Sequence, residues 1–204
     1  MVEHQIEARG IHNPRVLAAM REIPRHLFVP APYDQSAYDD NPLPIGNGQT
    51  ISQPYIVALM TDLLRPESSD NVLEIGTGSG YQAAILSRLV HRLTTMERIP
   101  AVAILARNNL KQLGIQNVEV IEGDGTQGYL RNAPYDGIMV TAATPEIPRT
   151  LTVQLAERGR IVAPVGGRDI QQLVILEKQG ESMISESHGG VRFVPLIGKH
   201  GWEN

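Results

Sequence analysis

The sequence predicts an open, mostly parallel α/β sheet with helices on both faces and an antiparallel C-terminal β-meander. Three observations carry that expectation. From Asn71 onward, short apolar runs alternate with segments of helical period. Several of those runs end in glycine or an acid, where a buried parallel strand would hand over to a helix. After Arg168 the helical segments stop, and short β-alternating pieces follow one another around turn residues.

Taken in order, residues 12–27 read as a helix. Pro14 suits a first turn, Val16, Leu17, Met20 and Ile23 recur at near-helical spacing, and Pro24 ends the pattern. Residues 28–50 are rich in Pro, Gly, Asn and Asp, and so long an irregular stretch is usually functional or disordered. Phe28, Tyr33, Tyr38 and Ile45 favour an ordered, packed loop. Residues 52–64 form a second helix, with Pro54 in its first turn and an apolar face of Ile56, Leu59, Met60 and Leu63. Then come strands at 71–76, 92–98, 118–123, 135–142 and 160–166, with helices at 81–90, 100–114 and 145–159 between them.

The chain has 204 residues, enough for one compact domain over 1–204, with residues 1–70 a helical and loop extension within it. There are no cysteines, which excludes a disulfide scaffold, a zinc-thiolate site and a cysteine nucleophile, and no metal site is expected. A formal net charge of -4 lacks the basic excess that phosphate neutralisation requires, so no nucleic-acid partner is expected. The start, MVEHQIEARG, is polar and acidic, unlike a signal peptide. No apolar run approaches the roughly 20 residues of a membrane span. The expectation is a cytoplasmic monomer with no membrane partner.

The segment EIGTGSG (Glu74 to Gly80) follows a strand and opens a helix. Its glycines let the backbone turn tightly and approach a ligand with no Cβ in the way. A dinucleotide fingerprint reads G-x-G-x-x-G, which would put the third glycine at Tyr81; here it is Gly80. Tyr81 sets a bulky ring where a dinucleotide fold needs close helix–strand packing. Glu74 precedes the glycines, and a carboxylate suits the cationic amino-acid end of S-adenosylmethionine better than a pyrophosphate. Glu97 ends the next strand about 20 residues beyond the first glycine, where an acid accepts from both ribose hydroxyls. NAD enzymes share that feature, so it does not discriminate. Asp124, in GDG (Gly123 to Gly125), either accepts from an adenine amino group or caps a turn.

Together with PRHLFVP (Pro24 to Pro30), GQTISQP (Gly48 to Pro54), ERIP (Glu97 to Pro100), EGDG (Glu122 to Gly125), APYDGIMVTAA (Ala133 to Ala143), EIP (Glu146 to Pro148) and VRFVPL (Val191 to Leu196), these residues make the chain resemble the protein-L-isoaspartate (D-aspartate) O-methyltransferase family over nearly its full length. The glycine loop belongs to methyltransferases at large; GQTISQP paired with VRFVPL is the specific part. The resemblance implies a Rossmann-like methyltransferase sheet, with the last strands arranged differently from most methyltransferases. It implies S-adenosylmethionine held by Glu74, Gly76, Thr77, Gly78, Gly80, Glu97, Arg98, Asp124, Gly125 and Thr141. Ser52 is then the catalytic residue, in a stretch with Thr50, Ile51 and Gln53 that lies across cofactor and substrate. Val191, Phe193 and Val194 would pair their backbone with the substrate peptide as an added strand. Spacing alone favours Ser52 as a helix N-cap, and leaves VRFVPL open to being an ordinary edge strand.

Two places depart from the resemblance or escape it. Asn47 stands where relatives often carry an aromatic residue or His, which would alter the floor of the substrate loop. The tail GKHGWEN is not determined, and Trp202 either covers the site or does nothing. The implied reaction moves a methyl group to the free α-carboxylate of an L-isoaspartyl residue in a damaged protein or peptide. With a pKa near 3.5, about one such carboxyl in 10³ is protonated at pH 7, so no activating base is needed. His26 reads as a packed structural residue, and residues 41–50 as the cover that excludes water.

Overall fold

The structure, a computed structural model, describes residues 1–203. After short helical turns, α1 (Pro14–Glu22) starts where Asn13 Oδ1 accepts the Arg15 amide at 3.1 Å. Residues 28–50 are ordered, as expected, but less irregular than their composition implied. Two 3₁₀ turns lead into an antiparallel hairpin, β1 (Leu43–Gly46) and β2 (Gln49–Ile51). Its two-residue tip, Asn47-Gly48, has φ of +53° and +71°, the left-handed pair that lets two twisted strands reverse tightly. α2 (Pro54–Leu64) follows at once.

The alternating region then builds the main sheet: β3 (Asn71–Ile75), α3 (Tyr81–Ser87), β4 (Arg92–Glu97), α4 (Pro100–Gln112), β5 (Val118–Glu122), β6 (Tyr135–Val140), α5 (Arg149–Thr152), β7 (Leu155–Gly166), β8 (Gln171–Gln179) and β9 (Ser182–Val191). The strand order is β5-β4-β3-β6-β7-β8-β9. The first five strands are parallel, and β8 and β9 run antiparallel at the far edge. The last two strands are therefore added one after the other outward from β7.

Alternation along β3 separates two cores. Val72 packs with side chains of α1 to α4 on one face; Leu73 and Ile75 pack with Leu151 of α5 and the buried side of β6 and β7 on the other. The helix expected over residues 145–159 shrinks to the single turn of α5, and β7 already begins at Leu155. Two prolines, Pro145 and Pro148, lack the amides a longer helix needs, and Thr150, Thr152 and Val153 crowd a helical turn. Buried Gln154 then spends its side chain on loop backbone, accepting from the Tyr129 amide at 2.8 Å and donating to Gln127 O at 2.9 Å. The helical cover on the second face is thus much thinner than on the first.

Strand order reverses beside β3, where β4 goes one way and β6 the other. An open α/β sheet leaves a crevice at such a point, beyond the carboxyl ends of its strands. The glycine loop sits there.

Candidate active site

The loop from Gly76 to Gly80 is held from three sides. The amides of Gly76 and Thr77 donate to Met96 O at 2.9 and 3.1 Å, tying the loop to the end of β4. Gly76 adopts φ of +101°, and a Cβ there would overlap Thr141 Oγ1. That hydroxyl lies 2.6 Å from Gly76 O and 2.9 Å from Ile75 O, fastening the loop to the end of β6. Glu97 closes the third side: Oε2 accepts the Gly78 amide at 3.0 Å and Oε1 the Ile99 amide at 3.0 Å. Each oxygen keeps an unused lone pair.

Two cavities are lined by this loop, and a third adjoins the first of them. A narrow one is lined by Gly76, Thr77, Gly78, Ser79 and Glu97 together with Gln49 to Ser52. Beside it, a cavity of about 210 Å³ has a carboxylate, Glu97, among apolar walls that include Ile75, Met96, Ile99, Leu196 and Ile197. On the other side opens a cleft of about 540 Å³ between Ser52, Gln53 and Ile56 and the segment Gly190 to Val194. Thr50, Ser52, Thr141 and Val194 line both the narrow cavity and the cleft. GQTISQP and VRFVPL, some 140 positions apart, thus face each other across one opening.

Most of the residues expected to serve this site reach it, with several changes of role. Gly76, Thr77, Gly78, Glu97 and Thr141 line the narrow cavity, and Arg98 and Gly125 the adjoining one. Glu74 does not reach a cavity wall. It points into the core beneath the loop, fully buried, where Thr95 Oγ1 donates to its Oε2 at 2.5 Å and lies 2.7 Å from Thr77 Oγ1. Its Oε1 has no partner. Burial pushes its carboxyl up to about 8, the Thr95 hydrogen bond opposing and the Glu97 charge adding to the rise. Glu74 is therefore a buried strut whose charged form is disfavoured, placed beneath the loop and not open to the cavity as its position before the glycines implied. Gly80 also faces inward, beside Ala106 and Leu110 of α4, and its φ of +89° is the left-handed turn that starts α3.

Asp124 resolves toward the turn. Its Oδ1 accepts the Thr126 amide at 2.9 Å and the Thr126 hydroxyl at 2.7 Å, and its Oδ2 accepts the Lys199 amide at 2.9 Å. The carboxylate expected to hold adenine anchors the C-terminal tail in this structure. Trp202 does not cover the cleft; its ring lies 5.0 Å from the Arg168 guanidinium, and its amide donates to Leu196 O at 2.8 Å.

Ser52 is not a helix cap, because the cap position of α2 falls on Gln53 and no side chain of that residue caps it. Thr50 and Ile51 line the narrow cavity with Ser52. Gln53 lines the cleft but has its amide committed, Nε2 donating to Asp40 Oδ2 at 2.6 Å. β9 ends at Val191, and the chain then leaves the sheet: the Phe193 amide donates to Gln171 Oε1 at 2.9 Å and Val194 O accepts the Ala143 amide at 2.8 Å. Asn47 is exposed at the hairpin tip and is no part of the cleft floor. His26 is exposed, with Nδ1 2.7 Å from Tyr38 Oη and away from the three cavities. The expected cover, residues 41–50, is the β1–β2 hairpin, with Ile45 buried over Gly78.

Among the wall residues that sequence reasoning missed are Gln49, Met96, Ile99 and Ile197. Gln49 lay inside GQTISQP and Ile99 inside ERIP, and Met96 stands next to the acid that ends β4; Ile197 carried no signal.

Comparison with known proteins gives a consistent picture. The family description Protein-L-isoaspartate(D-aspartate) O-methyltransferase matches residues 1–201. A protein-L-isoaspartate O-methyltransferase of Methanoregula boonei is 67% identical over 204 residues, covering 100% of this chain and 94% of its own. One from Methanospirillum hungatei is 62% identical over 203 residues, with coverage of 100% and 94%. Among solved structures, a protein-L-isoaspartate O-methyltransferase superposes with a TM-score of 0.89 at 31% identity, over 98% of this chain and 67% of that one. A Plasmodium falciparum protein of the same description, solved with S-adenosyl-L-homocysteine, gives a TM-score of 0.82 at 24% identity over 96% of each chain and shares the fold.

Proposed function

The chain belongs to the protein-L-isoaspartate (D-aspartate) O-methyltransferase family, and on that premise we propose that Ser52 holds the isoaspartyl α-carboxylate at the mouth of the cavity that binds the methyl donor. The enzyme is an S-adenosylmethionine-dependent carboxyl methyltransferase of protein repair. The observation that carries the assignment of Ser52 is the wall it shares, with Thr50, Thr141 and Val194, between the glycine-loop cavity and the cleft.

The residues fit the donor. Glu97 has a free lone pair on each oxygen for ribose hydroxyls, the apolar walls at Ile75, Met96, Ile99 and Ile197 suit a flat base, and Gly76 to Gly78 leave room beside them. Arg98 lies at the rim of that cavity. When bound, S-adenosylmethionine supplies an electrophilic methyl group on a sulfonium. The rest is positioning. The acceptor is already an anion at pH 7, so the site needs no base; it must bring oxygen and methyl carbon into line, which supplies on the order of 7–11 kcal/mol of barrier reduction. Ser52 donates its hydroxyl to one carboxylate oxygen and leaves the other free to react. Thr50 and Ile51 steer the damaged residue, and Ile56 and Val191 to Val194 receive the flanking peptide. With the Phe193 amide taken by Gln171, the Phe193 carbonyl and the Arg192 backbone at the cleft are the groups left to pair with it. The β1–β2 hairpin, seated through Ile45, excludes water from the junction.

We read residues 1–204 as one domain and its substrates as isoaspartyl-containing proteins and peptides. No helix among the described residues is long and apolar enough to cross a membrane. Localisation in the cytoplasm as a monomer, with no nucleic-acid partner, is part of the same proposal. The test is labelling by S-adenosylmethionine of an isoaspartyl peptide beside its aspartyl twin. Label on the isoaspartyl peptide alone is expected; equal label on both, or on neither, overturns the substrate assignment.

A further inference from the structure

Ser52 and Gln53 are the only residues between the end of β2 at Ile51 and the start of α2 at Pro54. Their positions depend on how those two elements are fastened, yet α2 has no cap of its own, Gln53 making no capping bond. Asp40 supplies the cap from another part of the chain. Its Oδ1 accepts the Tyr55 amide at 3.1 Å, one of the amides that a helix start leaves without an internal partner. Its Oδ2 accepts Gln53 Nε2 at 2.6 Å and Arg9 Nη1 at 2.7 Å, and the Arg9 guanidinium lies 3.4 Å from the centre of the Tyr55 ring. A negative charge in this place also suits the positive end of the helix.

The segment that carries Asp40 is gripped from the inside. Arg25 is fully buried; its Nε donates to Ala37 O at 2.7 Å and Nη2 approaches Asn41 O at 3.5 Å, one contact on each side of Asp40. Its guanidinium lies 4.9 Å from the centre of the Tyr81 ring, and Tyr81 lines the narrow cavity. A buried cation thus holds the loop from within the core, and the loop holds out one carboxylate to the start of α2. Asp40 itself lines none of the three cavities.

We propose that Asp40 is a positioning residue for methyl transfer, which sets the Ser52 hydroxyl at the junction of donor cavity and cleft by capping α2 and pinning Gln53. It touches neither donor nor acceptor. This inference rests on the assignment of Ser52 made above. Its consequence is specific: Asp40 governs turnover and not donor binding, and it does so through Ser52.

The experiment is a double-mutant cycle of Asp40→Ala and Ser52→Ala on the full chain, with kcat for an isoaspartyl peptide and calorimetric donor affinity as readouts. Alone, Asp40→Ala should lower kcat at least about tenfold, since small displacements of a reacting group cost up to about 10²-fold. Donor Kd should stay within about twofold. On the Ser52→Ala background, Asp40→Ala should lower kcat less than about twofold further, as residues acting through one another do not add. Asp40→Asn keeps an acceptor for the Tyr55 amide and meets Gln53 by a flip of its amide, so it should keep kcat within about threefold of the parent. The same full loss on both backgrounds, or a parallel loss of donor affinity, makes Asp40 a merely structural residue and overturns the inference. If Ser52→Ala leaves kcat unchanged, the assignment of Ser52 fails first, whatever Asp40 does. Should Asp40→Ala not fold, Gln53→Leu cuts the Gln53 link while leaving the Tyr55 cap. Its kcat should then fall by a smaller factor on the parent, with donor Kd within about twofold and little further loss on the Ser52→Ala background. An equal loss on both backgrounds, or a loss of donor affinity, overturns the inference.

Discussion

The Glu97 carboxylate accepts the Gly78 amide at 3.0 Å, so the acid that ends β4 and the glycine loop that follows β3 are one unit. Its second oxygen holds the Ile99 amide at the same distance. Glu97→Gln turns a donor NH₂ toward one of these amides and weakens the acceptor offered to the donor's ribose. Hydrogen bonds to a charged group are worth about 1.5–3 kcal/mol, so donor Kd should rise about 10- to 100-fold. At saturating donor, kcat should hardly change. Titration calorimetry with turnover at saturation checks this, and a changed kcat with unchanged Kd would move Glu97 from binding to chemistry.

Ser52→Ala tests the residue at the junction. Because α2 is not capped by Ser52, the substitution should leave thermal stability within about 0.5 kcal/mol of the parent, whereas loss of a true Ser cap costs typically about 1 kcal/mol. Turnover should fall by about two orders of magnitude, as expected when a group that orients a reactant is removed. A melting curve and kcat on the same sample separate the outcomes. A destabilised but fully active variant would return Ser52 to the helix cap.

Buried Glu74 makes stability depend on pH with a definite sign. Its folded value of about 8 lies above the ordinary carboxyl value of 4.5. Between the two, the folded chain keeps a proton that the unfolded chain has released. This contribution therefore favours folding fully below the ordinary value and is lost as pH rises toward 8, by at most about 1.4 kcal/mol per pH unit. Glu74→Gln stays neutral throughout. Denaturant midpoints at pH 5, 6.5 and 8, without the donor, should show the variant gaining on the parent at each step. Parallel curves would mean that the carboxylate ionises in place at little cost.

The sheet was legible because several of its strands are short apolar runs that end in glycine or an acid, and each helix from α1 to α4 opens with Pro or follows a glycine. The helix expected at 145–159 failed where local period and local propensity disagree, at Pro148, Thr150, Thr152 and Val153. The hairpin was missed although Asn47-Gly48 is a strong turn signal, because the prolines around it read as loop. In the site, backbone positions such as Gly76 were legible, since a glycine spacing reports backbone shape. Side-chain partners were not: whether Glu74 faces cavity or core depends on the register of β3 against β4, and what Asp124 accepts depends on a tail 75 positions away.

That tail gives the last expectation. Lys199 and His200 donate their amides to Asp124 Oδ2 and Thr126 Oγ1 at 2.9 and 3.1 Å, and a Cβ on Gly198 would overlap the Asp124 carboxylate. The tail so anchored keeps Leu196 and Ile197 in the wall of the 210 Å³ cavity. Although partial burial alone would raise it, the Asp124 carboxyl is held below its ordinary value by these hydrogen bonds, from Lys199 and Thr126 in particular. Gly198→Ala forces tail and carboxylate apart. If Asp124 acts as the tail's anchor, the wall loosens and donor Kd rises about tenfold, equivalent to about 1.4 kcal/mol. If Asp124 instead serves the adenine amino group, freeing its oxygens tightens donor binding. The sign of the change in Kd decides between the two roles, and with kcat at saturation unchanged the effect lies in the cavity wall and not at the junction with the cleft.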